Sequence, residues 1–279
     1  MRIAATRALP GPAWDELDDI VIGDRPDAEI LILMNEPIAF DAYPNLRLVA
    51  NFSVGYDRID VDECRRRGIA VTNTPGVLDA ATADLAFGLL LAARRRIVEG
   101  DRAIQAGGWK LPAPGREVTG ATLAIVGLGR IGSAVARRAE AFDMRVLGVR
   151  SREGDLDAAL READIVSLHV PLNGATRGLI SRERLALLRD GATLVNTARG
   201  AVVDEDALVE ELVSGRITAG LDVFVHEPHV PQRLVGLPNV VLTPHIASST
   251  METRAAMTRL VVDNVLAFER GEPLLTPIT

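Results

Sequence analysis

Residues 122–132 read Thr-Leu-Ala-Ile-Val-Gly-Leu-Gly-Arg-Ile-Gly, and the fold is decided there. Thr122 to Val126 is a short, apolar, β-rich run with the length of a buried parallel strand. It runs into Gly127-x-Gly129-x-x-Gly132, after which Ile131, Val135, Ala139 and Phe142 recur at helical spacing. Strand, glycine turn and helix N-terminus together make a phosphate cradle. Gly127 permits the tight turn, Gly129 lets a pyrophosphate approach the backbone, and Gly132 lets helix and strand pack closely. Unpaired N–H groups and the positive end of the helix dipole then face the anion.

The second half of this unit bears on which dinucleotide is bound. Met144 to Val149 reads as the next strand, and a chain selecting NAD usually places Asp or Glu at its end. Here the position holds Arg150-Ser151-Arg152. Two guanidiniums and a hydroxyl suit a 2′-phosphate, because arginine donates paired hydrogen bonds to phosphate oxygens. The expectation is NADPH in preference to NADH.

Working outward, 279 residues suffice for two domains of about 100 to 150 residues each. The hydrophobic content of 48% is that of a globular protein with sizeable cores. A net charge of −7 leaves no basic footprint for nucleic acid, and no nucleic-acid partner is expected. Cys64 is the only cysteine, which excludes an intramolecular disulfide and a multi-cysteine metal site; no metal is expected. Pro10, Pro12, Asp15 and Glu16 interrupt any apolar leader, and the most apolar stretch, Ala80 to Ala93, is too short for a span. No membrane association is expected, and a cytoplasmic location is the default.

Arg2 to Ala5, Ile30 to Met34, Leu46 to Ala50 and Ile69 to Thr72 read as strands, with a short helix over Val61 to Arg67. Thr82 to Ile104 reads as one long helix, broken by Gly107-Gly108-Trp109. Later strands are expected at Ile165 to Val170, Thr193 to Asn196, Ile217 to Leu221 and Val240 to Thr243. Helices fall between them near 155–162, 181–188 and 204–213. Ser249 and Glu252 suggest a capping box for a last helix ending near Arg270. Alternating strands and helices define an α/β fold with parallel sheets, once small and once large.

A nicotinamide enzyme acting on a ketone needs a proton donor beside the carbonyl and a cation for an anionic substrate. His169 and His245 both leave strand ends, where ligands bind in open α/β sheets, whereas His226 and His229 flank Glu227-Pro228. Spacing does not separate the first two. Arg199 and Glu227 also follow strands closely, so arginine, glutamate and histidine can converge at one carboxyl edge. A carboxylate beside an imidazole favours the charged ring. A surface ion pair is the plain alternative for Arg199 and Glu227.

Six segments in order resemble the D-isomer-specific 2-hydroxyacid dehydrogenases over nearly the whole chain. They are Asn-Phe-Ser-Val-Gly-Tyr-Asp from Asn51, Val-Thr-Asn-Thr-Pro-Gly from Val71, and the glycine turn from Val126. Asn-Thr-Ala-Arg-Gly from Asn196, Gly-Leu-Asp-Val-Phe from Gly220 with Glu227-Pro228, and Leu-Thr-Pro-His-Ile-Ala-Ser from Leu242 complete the set. Arg150-Ser151-Arg152, the run from Glu227 to Pro231 and the run from Pro273 to Pro277 are most similar to the NADPH-dependent glyoxylate, hydroxypyruvate and hydroxyphenylpyruvate reductases.

The resemblance implies His245 as the acid/base, Glu227 as its carboxylate partner and Arg199 as the substrate-binding arginine. It implies backbone N–H groups of Ser53, Val54 and Gly55 on the substrate carboxylate. Arg130 and Ile131 would meet the pyrophosphate, Val170 and Pro171 the adenosine, and Thr197, Ala198 and Asp222 the nicotinamide end. Thr82 and Ala247 join the same cofactor set, and His169 becomes structural. The implied fold is two Rossmann-like or flavodoxin-like parallel-sheet domains with the active site in the cleft between them. Residues 1–88 with 258–279 would form the substrate-binding domain and 89–257 the dinucleotide-binding one. The long helix and Gly107-Gly108-Trp109 resemble the family's dimerisation region, so a homodimer is expected.

The front departs from the pattern: between Pro12 and Asp27 the chain is short where the family has another helix, which bears on the substrate pocket wall. After the last helix, no regulatory domain of the kind carried by some 3-phosphoglycerate dehydrogenases is expected. The expected reaction is reduction of a small 2-oxo acid, glyoxylate or hydroxypyruvate, to the D-2-hydroxy acid. Its rivals are the same fold acting on hydroxyphenylpyruvate, formate or phosphite, and a non-catalytic NAD(H)-sensing corepressor.

Overall fold

Short apolar runs become parallel strands, and the turns after them carry the polar residues. The structure, a computed structural model, describes residues 1–149 and 156–278. It divides into two units, Met1–Leu78 with Ser248–Thr279, and Asp79–Ala247. The expected breaks at 88/89 and 257/258 would cut through two helices that each belong whole to one unit.

In the first unit, β1 (Ile3–Ala5), β2 (Ile20–Ile22), β3 (Ile30–Leu33), β4 (Leu48–Asn51) and β5 (Ala70–Thr72) form one sheet. Its order is β2-β1-β3-β4-β5, parallel throughout. β3 and β4 are buried along their whole length, as central strands covered on both faces are. Helix α1 (Val61–Arg66) is capped by Asp60, whose side chain accepts from the Glu63 N–H at 2.8 Å. Between Pro12 and Asp27 lie a 3-10 turn (Pro12–Glu16) and edge strand β2, which was not expected from the sequence.

The second unit opens with α2 (Asp79–Arg94) and α3 (Ile97–Gln105) in place of the single long helix expected over 82–104. The break has a tertiary cause. The Arg94 carbonyl accepts from the Arg116 N–H at 2.8 Å, and its buried guanidinium donates to the carbonyl oxygens of Glu117 and Asp164. Arg96 then takes a left-handed conformation, φ 55°, before α3 starts.

There follow β6 (Thr122–Val126), α4 (Arg130–Glu140), β7 (Arg145–Val149), α5 (Leu156–Glu162), β8 (Ile165–Leu168) and α6 (Arg182–Leu185). The unit closes with β9 (Thr193–Asn196), α7 (Glu205–Val213), β10 (Thr218–Leu221) and β11 (Val240–Leu242). The six strands are parallel in the order β11-β10-β9-β8-β6-β7. Strand residues alternate between two cores, as period two requires. Leu123, Ile125, Ile165 and Val195 meet Leu89, Leu90 and Val135 of α2 and α4 on one face. Ala124, Val126, Val166 and Leu194 meet Leu160, Leu208 and Leu212 of α5 and α7 on the other. Each fully buried leucine or isoleucine contributes roughly 1.5–3 kcal/mol. The strand order reverses between β6 and β8, which makes that pair the switch point where open α/β sheets bind ligands.

The last helix, α8 (Met251–Glu269), packs back on the first unit against β4 and the 3-10 turn. Its cap is Thr250, whose hydroxyl accepts from the Thr253 N–H at 3.1 Å, rather than the Ser249–Glu252 box expected. No helix among the described residues is long and apolar enough to cross a membrane.

Candidate active site

The glycine turn sits at the switch point. Gly127 takes φ +101° and its N–H donates to Val149 at 2.9 Å; a Cβ there would lie 2.8 Å from the His169 backbone. A Cβ on Gly132 would lie 2.0 Å from the Gly127 carbonyl oxygen. Both glycines are therefore fixed by protein contacts alone. Gly129 differs: a Cβ would meet nothing within 4 Å, so its face is open to an incoming group. Gly129 is also the N-cap of α4 and no side chain caps it, leaving the first-turn N–H groups, including those of Arg130 and Ile131, for an anion. The Arg130 side chain is directed elsewhere, with Nε donating to Asp79 at 2.8 Å. Arg150, Ser151 and Arg152 lie outside the described residues.

Other expected cofactor residues surround this edge. Val170 is buried and Pro171 exposed directly after β8, and Thr82 is buried in the first turn of α2. Beyond β9, the Thr197 hydroxyl is buried with no hydrogen-bond partner among the described residues. A buried hydroxyl left unpaired is costly and points to a polar group that completes it. Open Gly129, uncapped α4 and Thr197 together fit a bound dinucleotide.

Three neighbouring strand ends deliver the chemical groups. After β9, the Asn196 side chain accepts from the Ala198 N–H and donates to the Arg199 carbonyl, both at 3.0 Å, and so folds the loop that carries Arg199. Gly200 then passes so close to Phe224 that a Cβ would lie 2.1 Å from its carbonyl carbon. This draws the Arg199 loop against the segment leading from β10 to Glu227. Arg199 Nη1 donates to the Ala198 carbonyl at 2.8 Å, and the guanidinium charge favours ionised Glu227.

After β10, Asp222 is fully buried, and burial raises its pKa against the pull of its hydrogen bonds. It accepts from the Thr243 hydroxyl at 2.6 Å and from the Ile246 and Ala247 N–H groups at 2.9 Å. Its carbonyl accepts from the His245 N–H at 2.9 Å, and His245 sits in the left-handed region at φ 53°. Asp222 thus shapes the whole turn after β11.

That turn presents His245 Nδ1 to Glu227 Oε2 at 2.8 Å. Glu227 Oε1 accepts from the Phe224 N–H at 3.0 Å. Partial burial pushes the Glu227 carboxyl up, but the bonds from His245 and Phe224 outweigh it, and the group titrates below its ordinary range. An ionised carboxylate only accepts, so Nδ1 carries the proton of this bond and Nε2 is turned away from Glu227. His226 and His229 pair as an antiparallel bridge around the Glu227–Pro228 peptide, which is cis, and are exposed.

His169 is a different kind of histidine. Its Nε2 lies 2.8 Å from the Ser167 hydroxyl, and burial pushes its pKa down to about 4. The two candidates that spacing leaves together differ in their surroundings: among the described residues, His245 has a carboxylate partner and His169 a hydroxyl.

In the first unit, the Ser53 N–H donates to the Asn51 carbonyl at 2.8 Å. Of the three expected donors, only Val54 and Gly55 keep N–H groups with no partner among the described residues.

With parallel-sheet units, a glycine turn and a His–Glu pair at one carboxyl edge, the chain has the features of a nicotinamide-dependent oxidoreductase. It belongs to the D-isomer-specific 2-hydroxyacid dehydrogenases, the NAD-binding domain of that family matching residues 87–247. It is an oxidoreductase acting on CH–OH groups, and its second unit is an NAD(P)-binding domain. The glyoxylate reductase of Pyrococcus furiosus is 50% identical, the alignment covering 93% of this chain and 86% of that one. The glyoxylate reductase of Korarchaeum cryptofilum is 48% identical over 91% and 83% of the respective chains. An NADPH-dependent glyoxylate/hydroxypyruvate reductase from Sinorhizobium meliloti, solved with NADP and malonate, superposes with a TM-score of 0.89. It is 36% identical, covering 100% of this chain and 96% of its own.

Proposed function

We propose that the protein reduces glyoxylate, and with it hydroxypyruvate, to the D-2-hydroxy acid with NADPH as the preferred reductant. The observation that carries the chemistry is the 2.8 Å pairing of His245 Nδ1 with Glu227. The names of the relatives support the substrate class. The cofactor preference rests on Arg150 and Arg152 and their capacity to grip a 2′-phosphate.

In the second unit Arg199 binds the substrate carboxylate and polarises the 2-oxo group; in the first, the Val54 and Gly55 N–H groups are donors suited to a carboxylate. Gly129, Arg130 and Ile131 offer backbone N–H groups to the pyrophosphate, and the Thr197 hydroxyl meets the nicotinamide end. A reduced nicotinamide held by these residues would supply the hydride that reduces the 2-oxo carbon. As the carbonyl π pair moves onto oxygen, His245 Nε2 delivers a proton there. Glu227 holds the ring in the orientation that makes this possible and balances its charge before the transfer. The exposed apolar side chains of α3, Ile97 and Ile104, and nearby Trp109 suit burial in a homodimer.

Steady-state assays with a panel of 2-oxo acids test the reading. Glyoxylate and hydroxypyruvate should give the highest kcat/KM, and NADPH should exceed NADH by at least tenfold, about 1.4 kcal/mol for one phosphate contact. Equal use of both cofactors would remove the role given to Arg150 and Arg152.

A further inference from the structure

The turn Ser53–Gly55 of the first unit is held by a network of hydrogen bonds from near and distant parts of the chain. All three carbonyls of Ser53–Gly55 are tied down. Asn51, fully buried, donates to Gly55 at 2.9 Å and to Ser53 at 3.3 Å, while its Oδ1 accepts from the Asn35 N–H at 2.8 Å. The Thr74 N–H adds a 3.0 Å bond to Ser53, and Asn73 Nδ2 donates to Val54 at 2.9 Å. With the carbonyls engaged, the N–H groups of Val54 and Gly55 remain for an anion.

Asn73 is itself anchored by the far end of the chain. The Thr276 hydroxyl donates to the Asn73 carbonyl at 2.6 Å, and the Asn73 N–H returns to the Thr276 carbonyl at 3.3 Å. Thr276 is fixed in turn by Asn264 of α8, fully buried. Its Nδ2 donates to the Thr276 hydroxyl at 3.0 Å, and its Oδ1 accepts from the Leu275 and Thr276 N–H groups at 3.0 and 3.2 Å. The Ile278 N–H continues the strap along β5 by donating to Val71 at 2.8 Å.

We propose that Asn264, Thr276 and Asn73 form a positioning relay through which the C-terminal strap sets the Val54–Gly55 turn for the substrate carboxylate. This rests on the proposed reduction of 2-oxo acids. Thr276→Val is nearly isosteric and removes both hydroxyl bonds, whereas Thr276→Ser keeps them. Thr276→Val and Asn73→Ala should raise KM for glyoxylate about fivefold, one neutral hydrogen bond's worth, with KM for NADPH unchanged. Thr276→Ser should restore the wild-type value. A lowered melting temperature with KM for glyoxylate unchanged would overturn the relay and leave these residues merely structural. If the wild type reduces no 2-oxo acid, the functional reading fails by itself. Amide exchange at Thr74, whose N–H is bonded to the Ser53 carbonyl, then decides: it should quicken in Thr276→Val and not in Thr276→Ser, and equal exchange in both would overturn the proposal.

Discussion

Lowering the pH from 7.5 to 5 should destabilise the protein through His169, and the size of the effect follows from its surroundings. Burial holds the ring neutral down to about 4 in the folded chain, against 6.5 for an ordinary imidazole. Below 6.5 the unfolded chain takes up a proton that the folded chain refuses, so stability is fully present above 6.5 and is lost as pH falls toward 4. That gap is worth roughly 3 kcal/mol in full, of which about 2 kcal/mol is gone by pH 5. The perturbation is His169→Gln, which keeps a polar group near Ser167 but cannot titrate. Urea unfolding of both proteins at several pH values between 7.5 and 5 reads the effect. The wild type should lose about 2 kcal/mol more than the variant over that range. Staying above pH 5 keeps Glu227, held below its ordinary range, from contributing. Parallel pH profiles would refute the burial argument and reopen His169 as a group that titrates in the working range.

Two further substitutions probe the scaffold under Arg199, Glu227 and His245. Gly200→Ala forces a Cβ to within 2.1 Å of the Phe224 backbone. Separating the two loops should cost about 1–3 kcal/mol of stability and lower kcat/KM for the 2-oxo acid more than dinucleotide affinity, a split that kinetics and cofactor titration measure. Asp222→Asn replaces one of two accepting oxygens by a donor that faces an N–H or hydroxyl. A loss of about 2–3 kcal/mol and a fall in kcat should follow, checked by thermal unfolding and steady-state rates.

Much of this arrangement is legible in the sequence because it is local. The β6 run, the glycine turn and the α4 periodicity lie within twenty-one residues, Thr122 to Phe142, and each uses a pattern that needs no distant partner. The break after α2 is not legible, because it depends on Arg116 reaching the Arg94 carbonyl and on the burial of the Arg94 guanidinium. Ser249 and Thr250 are equally able caps one residue apart, and only the chain's path selects Thr250. β2 is three residues long, too short to show a period. His169 and His245 both leave strand ends, and what distinguishes them is a hydroxyl against a carboxylate, supplied by Ser167 and Glu227. The Asn73–Thr276 contact joins positions 203 apart, a distance over which no spacing argument reaches.

His245→Gln tests the central assignment most directly, with reduced-nicotinamide absorbance followed after addition of glyoxylate and cofactor affinity titrated alongside. Removing a general acid should lower kcat by about 10²–10⁴-fold while leaving the affinity for NADPH near that of the wild type. Turnover retained within a few-fold of wild type would contradict the pairing of His245 with Glu227 as the proton-delivering unit.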